Sequence, residues 1–157
     1  MWERGDLFPT FLSNSGLKKI MTTPHAPLQP SFCPLFLSPV PAGFPSSSEG
    51  NIDQNLDLNA LLVSHPAATF FVRVEGDSMQ GAGIFSGDLL VIDRSLQVKN
   101  DHIVLAVING EFTVKRLKIQ HKEIHLVPEN PTYRSIKVTE AMDFQIWGIV
   151  TYVIHKT

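Results

Sequence analysis

The stretch Ile103-Val104-Leu105-Ala106-Val107-Ile108-Asn109-Gly110-Glu111-Phe112-Thr113-Val114-Lys115-Arg116-Leu117 decides the fold. Two runs rich in β-branched residues flank Asn-Gly, the pair that best tolerates positive φ at both centres of a two-residue turn. The reading is a β-hairpin, residues 103–108 against residues 111–117. Strand alternation puts Thr113, Lys115 and Leu117 on one face, and Phe112, Val114 and Arg116 on the other. At least one of the two adjacent cations therefore shares a face with apolar neighbours.

Working outward, strand signals recur at short spacing. Residues 70–75 and 88–93 read as strands before the hairpin, and residues 123–127, 135–138 and 145–155 as strands after it. Residues 76–87 hold four glycines and read as a loop. The one helix expected is short, residues 57–64, stopped ahead of Pro66. About seven short strands with little helix place the chain in the mainly β class.

The composition shifts near residue 50. Eight of the 11 prolines fall in residues 1–45, and residues 21–48 contain no Asp, Glu, Lys or Arg. This reads as an uncharged, extended arm without helical or strand periodicity. Phe32, Leu35, Phe36, Leu37, Val40 and Phe44 make it too apolar for a solvated linker, so it is expected to dock on its own domain, a sister subunit or a partner. The expected organisation is an arm over residues 1–50 and an all-β domain over residues 51–157. Residues 1–20 differ again and read as upstream sequence, with Met21 as an alternative start.

Bulk properties exclude several classes. With 157 residues and a net charge of −2, the chain is not one that coats nucleic acid by charge alone. A lone cysteine, Cys33, excludes an internal disulfide framework and a multi-cysteine zinc site. It fits a reducing compartment. No run reaches the roughly 18 apolar residues of a membrane span. The nearest, residues 32–44, is broken by Pro34, Pro39 and Pro41, which makes a poor secretory signal.

Gly76-Asp77-Ser78-Met79 follows a strand directly and sets a serine where backbone N–H groups are free. Such a serine can be a nucleophile with those N–H groups as its oxyanion hole; equally, Gly, Asp and Ser make ordinary turns. Lys115 bears on the choice. A lysine among apolar neighbours has its pKa pushed down, and once neutral it can act as general base. A lysine snorkelling at a sheet edge is the plainer alternative. His121, Glu123 and His125 alternate along one strand face, where a metal or simply solvent can meet them. Asp77, Asp88 and Asp93 read as turn and strand-end residues. Gly81-Ala82-Gly83 lacks the βαβ context of a dinucleotide site. No cofactor and no metal are expected.

Three segments together carry a resemblance: Glu75-Gly76-Asp77-Ser78-Met79, then Gly83-Ile84-Phe85-Ser86-Gly87-Asp88-Leu89-Leu90-Val91-Ile92-Asp93, then Gly110-Glu111-Phe112-Thr113-Val114-Lys115-Arg116-Leu117. They resemble the LexA/UmuD self-cleaving family, S24 serine peptidases with a Ser-Lys dyad, and most closely its UmuD-like branch. Residues 57–62 and 65–72 fit as well, and the likeness spans residues 32–154. Specificity comes from the serine motif, the lysine strand and their 37-residue separation taken together.

The resemblance implies a curved β-strand domain with an extended N-terminal arm, usually a homodimer. It implies Ser78 as nucleophile, Lys115 as neutral base, and Asp77 and Met79 as support for the oxyanion loop. The scissile bond implied is Ala42–Gly43, followed by Phe44-Pro45-Ser46; cleavage there leaves residues 43–157, 115 in number. An apolar extended arm can reach such a site by pairing with a strand edge, and its tether supplies a high effective concentration. The further implication is a cytoplasmic bacterial protein of the SOS DNA-damage response. A RecA–single-stranded DNA filament would be its co-activator and a UmuC-like error-prone translesion DNA polymerase its partner, with no membrane. Direct sequence-specific DNA binding is not expected, because the proline-rich residues before Gly43 cannot build a helix-turn-helix. Three other functions share the motif: a transcriptional regulator or antirepressor, a non-cleaving interaction module of the same fold, and a membrane-linked signal peptidase. The missing span weighs against the last.

Overall fold

A computed structural model describes residues 32–36, 42 and 52–157. They fall into two compact units, one ending at Ser64 and one running from His65 to Thr157.

In the first unit, β1 (Phe32–Phe36) pairs antiparallel with β2 (Ile52–Asp57), with Cys33 opposite Leu56. Pro34 is tolerated because a strand in a two-stranded pair has an edge that needs no donor. β2 reads Ile-Asp-Gln-Asn-Leu-Asp, with neither alternation nor β-branched residues beyond Ile52. Nothing in it signals a strand, and it becomes one by pairing. β1 and β2 straddle the boundary expected at residue 50. Helix α1 (Leu58–Leu62) follows at the site expected for it, and the Asp57 carboxylate caps it by accepting the Asn59 N–H at 2.9 Å.

The second unit is one antiparallel sheet. Its strands are β3 (Thr69–Arg73), β4 (Leu89–Asp93), β5 (Ile103–Ile108), β6 (Glu111–Gln120), β7 (Glu123–Val127), β8 (Ile136–Lys137) and β9 (Phe144–Ile154). Their order across the sheet is β3-β4-β9-β5-β6-β7-β8. The Asn-Gly reading holds: Asn109 and Gly110 both have positive φ, 50° and 87°, and β5 pairs with β6 in unbroken register from Ile103–Arg116 to Ile108–Glu111. The mainly β architecture is as expected.

The central strands are covered on both faces, which explains their almost continuous apolar runs. Val104 and Ala106 face a cluster with Leu117, Leu126, Ile146 and Ile149, while Leu105 faces Met79, Ile84, Leu90 and Ile92. Each fully buried Leu or Ile contributes about 1.5–3 kcal/mol. These two clusters therefore dominate the stability of the unit.

β9 curves the sheet. It carries an extra residue against β5 at Trp147 and another against β4 at Thr151, and such bulges bend a strand. Gly148 is required beside the first, since a Cβ there would come within 2.6 Å of Ile92 Cγ2 and 3.0 Å of the Asp93 carbonyl. The Arg94 guanidinium lies over the rings of both Trp147 and Phe70, 4.6 and 4.7 Å from the ring centres. Two buried carboxylates bracket β4. Asp88 accepts from Phe85 N at 2.8 Å and contacts His155 Nδ1 at 2.6 Å. Asp93 accepts from Ser95 N and Oγ and contacts His65 Nδ1 at 2.7 Å. Their reading as strand-end residues is correct.

Candidate active site

Ser78 sits on the loop that leaves β3. The backbone turns at Gly76, whose φ of +93° a side chain would strain. It then passes Asp77 and Ser78 into a single 3-10 turn, Gln80–Ala82, which ends at Gly83 in the left-handed region. Met79 anchors this loop, with only 3% of its surface exposed, packed in the cluster of Ile84, Leu90, Ile92 and Leu105. One residue therefore points into the core while its neighbour Ser78 is left at the surface of a cleft. No described atom accepts from the backbone N–H of Ser78 or Met79. Those two donors belong to the serine itself and to the residue after it.

Lys115 approaches from β6. Its Nζ lies 2.8 Å from Ser78 Oγ, 3.0 Å from Thr113 Oγ1 and 2.9 Å from the Val114 carbonyl oxygen. Thr113 is on the face of β6 that alternation assigned to Lys115. Burial pushes the Lys115 amine below its usual pKa, and no carboxylate opposes that shift. The three contacts suit both protonation states. As an ammonium, Lys115 donates to all three oxygens. As a neutral amine, it donates to Thr113 Oγ1 and the Val114 carbonyl, and its lone pair accepts the Ser78 O–H. Losing its proton therefore strands no buried group.

Both residues line a cleft of about 240 Å³, whose walls include Val72, Val74, Gly76, Leu105 and Phe112. Among the described strands, β3 pairs only with β4, and the β6 segment from Glu111 to Lys115 pairs only with β5. The cleft thus lies between two strand edges with free hydrogen-bonding groups, the geometry an extended chain needs to add as a strand.

Other residues singled out from sequence lie elsewhere. Asp77 belongs to the loop, held by the Tyr133 hydroxyl on its carboxylate and by Asn130 Nδ2 on its carbonyl at 3.1 Å. Donating to Asp77 pushes the Tyr133 phenol above its usual pKa. Ala42 is exposed in the connection between β1 and β2, and Gly43 lies outside the described residues. His121 does not share a strand face with Glu123 and His125: it sits with Lys122 in the β6–β7 turn, both at positive φ, where the chain reverses before alternation can begin. Glu123 is occupied by Lys137 at 2.7 Å and His125 at 3.3 Å. Among the described residues no cluster of three or more His, Cys, Asp or Glu could hold a metal, and no helix is long and apolar enough to cross a membrane. Nothing in the sequence signals the contacts of Glu129, Asn130 and Tyr133 with the serine loop, or the ion pair of Arg116 with Glu129. Asn130-Pro131 signals a turn, but not where the turn docks.

Comparison with known proteins identifies the family of the chain. Residues 34–151 match the model of the Peptidase S24-like family. Protein SamA of Salmonella typhimurium is 45% identical over 138 residues, 88% of this chain and 96% of the relative. Protein ImpA of Escherichia coli is 43% identical over 142 residues, 87% of this chain and 96% of the relative. The LexA repressor of Stenotrophomonas maltophilia is 40% identical over 113 residues, which cover 72% of this chain and 53% of the repressor.

Proposed function

This chain belongs to the Peptidase S24-like family as a UmuD-like member, and on that premise we propose that it is a serine autopeptidase that cuts its own arm at Ala42–Gly43. Ser78 Oγ attacks the Ala42 carbonyl carbon as Lys115 Nζ takes the hydroxyl proton. The tetrahedral oxyanion is received by the N–H groups of Ser78 and Met79. Lys115 then gives its proton to the departing Gly43 amine, and water hydrolyses the Ala42 ester to free Ser78. The observation that carries this reading is the 2.8 Å contact between Lys115 Nζ and Ser78 Oγ, made by a lysine whose proton burial has loosened.

The biological role extends the same reading. The trimmed chain, residues 43–157, acts as a homodimeric accessory subunit of a UmuC-like error-prone translesion DNA polymerase in the bacterial cytoplasm. A RecA–single-stranded DNA filament speeds cleavage by favouring the arm pose that reaches Ser78. Support comes from the two free strand edges of the cleft, which suit an extended uncharged arm, and from relatives matched over nearly their full length. Incubating purified protein with and without RecA filament and following the chain by mass tests both halves. Filament-stimulated release of residues 1–42 is expected. Cleavage indifferent to the filament would remove the regulatory half and leave the peptidase.

A further inference from the structure

A second set of contacts joins the Ser78 loop to β6 from behind. The segment Pro128-Glu129-Asn130-Pro131-Thr132-Tyr133 leaves β7 and folds against the loop. The Glu129 N–H donates to the Ser78 carbonyl at 2.9 Å, and the Glu129 carbonyl accepts the Gly81 N–H at 2.6 Å. A Cβ on residue 81 would collide with that carbonyl, so the approach needs glycine. The Glu129 carboxylate in turn holds Arg116 Nε, and Arg116 is the residue after Lys115 on β6. Asn130 braces the turn, accepting from Thr132 N at 3.1 Å and Thr132 Oγ1 at 2.8 Å while it donates to Asp77.

We propose that Arg116 and Glu129 are positioning residues for the reaction, a strut that fixes the Ser78 backbone relative to the strand carrying Lys115. The inference rests on the Ser78–Lys115 reading. Ser78, Lys115, Arg116 and Glu129 form a closed circuit: side chain to side chain in front, and behind it a side-chain ion pair followed by a backbone-to-backbone hydrogen bond. Met79 and Asp77 already anchor the Ser78 loop, and the rear link adds a polar tie from that loop to the strand carrying Lys115. Partly exposed ion pairs contribute little to stability. Arg116 and Glu129 are each about a quarter exposed, 26% and 28%. The strut's value therefore lies in placement, and a displacement of about 1 Å can cost a hundredfold in rate.

The test uses the full chain and two readouts: self-cleavage, and labelling of Ser78 by a fluorophosphonate, whose fluoride Oγ displaces without need of the arm. The variants are Arg116→Gln, Glu129→Gln, the double variant and Arg116→Lys, each with its melting temperature and pH–rate profile. Both glutamine variants are expected to slow both readouts by about ten- to a hundredfold. The double variant should be no slower than the worse single one, and Arg116→Lys should recover part of the loss. The two glutamine changes remove opposite charges, so a purely electrostatic influence on Lys115 would move the pH midpoint in opposite directions. Opposed shifts without a common rate loss overturn the proposal, as does wild-type labelling in either variant. A loss that merely tracks a lowered melting temperature, unrelieved by Arg116→Lys, overturns it too. If the wild-type protein neither labels nor cleaves, the dyad reading itself fails and this proposal falls with it.

Discussion

Lys115 Nζ and Ser78 Oγ stand 2.8 Å apart although 37 residues separate them in the chain. The loop after β3 and the second strand of the β5–β6 hairpin bring them together. The pair depends on Lys115 being able to give up its proton, and a half-buried amine with no carboxylate beside it is suited to that.

Replacing Lys115 separates charge from basicity. Lys115→Ala and Lys115→Arg should each lower self-cleavage by at least about a hundredfold. Arginine keeps the charge but does not deprotonate in proteins. Mass spectrometry of timed samples measures the rate, and Lys115→Arg cleaving within a few fold of wild type would remove Lys115 as base.

The pH dependence has a fixed sign. Burial lowers the Lys115 pKa, so the neutral amine, and with it the cleavage rate, should rise with pH through that lowered pKa and then level off. The same shift affects stability. Below the lowered pKa the ammonium is held at a cost the unfolded chain does not bear. Stability gains from this group as pH climbs from the lowered pKa toward about 10.4. Lys115→Met should therefore melt higher than wild type at pH 7 while losing cleavage, a comparison that scanning calorimetry makes directly.

Substitution at the scissile bond tests the site independently of the dyad. If the cut falls at Ala42–Gly43, Gly43→Glu should block processing while Ser78 still labels with fluorophosphonate, because a charged side chain then replaces the glycine at the bond to be cut. Normal processing of that variant would move the cut elsewhere in the arm.

Acid lability should trace in part to Asp93. Burial pushes its carboxyl up, but the hydrogen bonds from Ser95 and the contact with His65 outweigh this and hold the pKa below the usual range. The stability it supplies is present above the unfolded pKa and is lost as pH falls through the lowered folded value, below about pH 4. Asp93→Asn should cost about 1–3 kcal/mol at pH 7 by urea unfolding and flatten the acid limb of the stability profile. An unchanged acid limb would assign the lability to other groups.

Much of this was legible in the sequence because it is local. Asn109-Gly110 demands a tight turn, the apolar runs of β4 and β5 demand burial, and alternation along β6 places Thr113 beside Lys115. What was not legible depends on partners distant in the chain. Ile52–Asp57 is a strand only because Phe32–Phe36 lies beside it. His121 obeys alternation on paper, yet the strand begins two residues later. Glu129 and Asn130 look like an ordinary turn until the Ser78 loop is seen resting on them. The serine and lysine were visible as motifs, but the segment that holds one against the other was not.

Intact-mass spectrometry of the purified chain held at alkaline pH, beside Ser78→Ala, tests the central claim most directly. The account predicts a fragment beginning at Gly43, 115 residues long, accumulating in the wild type and absent from Ser78→Ala. The same fragment appearing in Ser78→Ala, or no fragment from the wild type even with RecA filament and single-stranded DNA present, would contradict it.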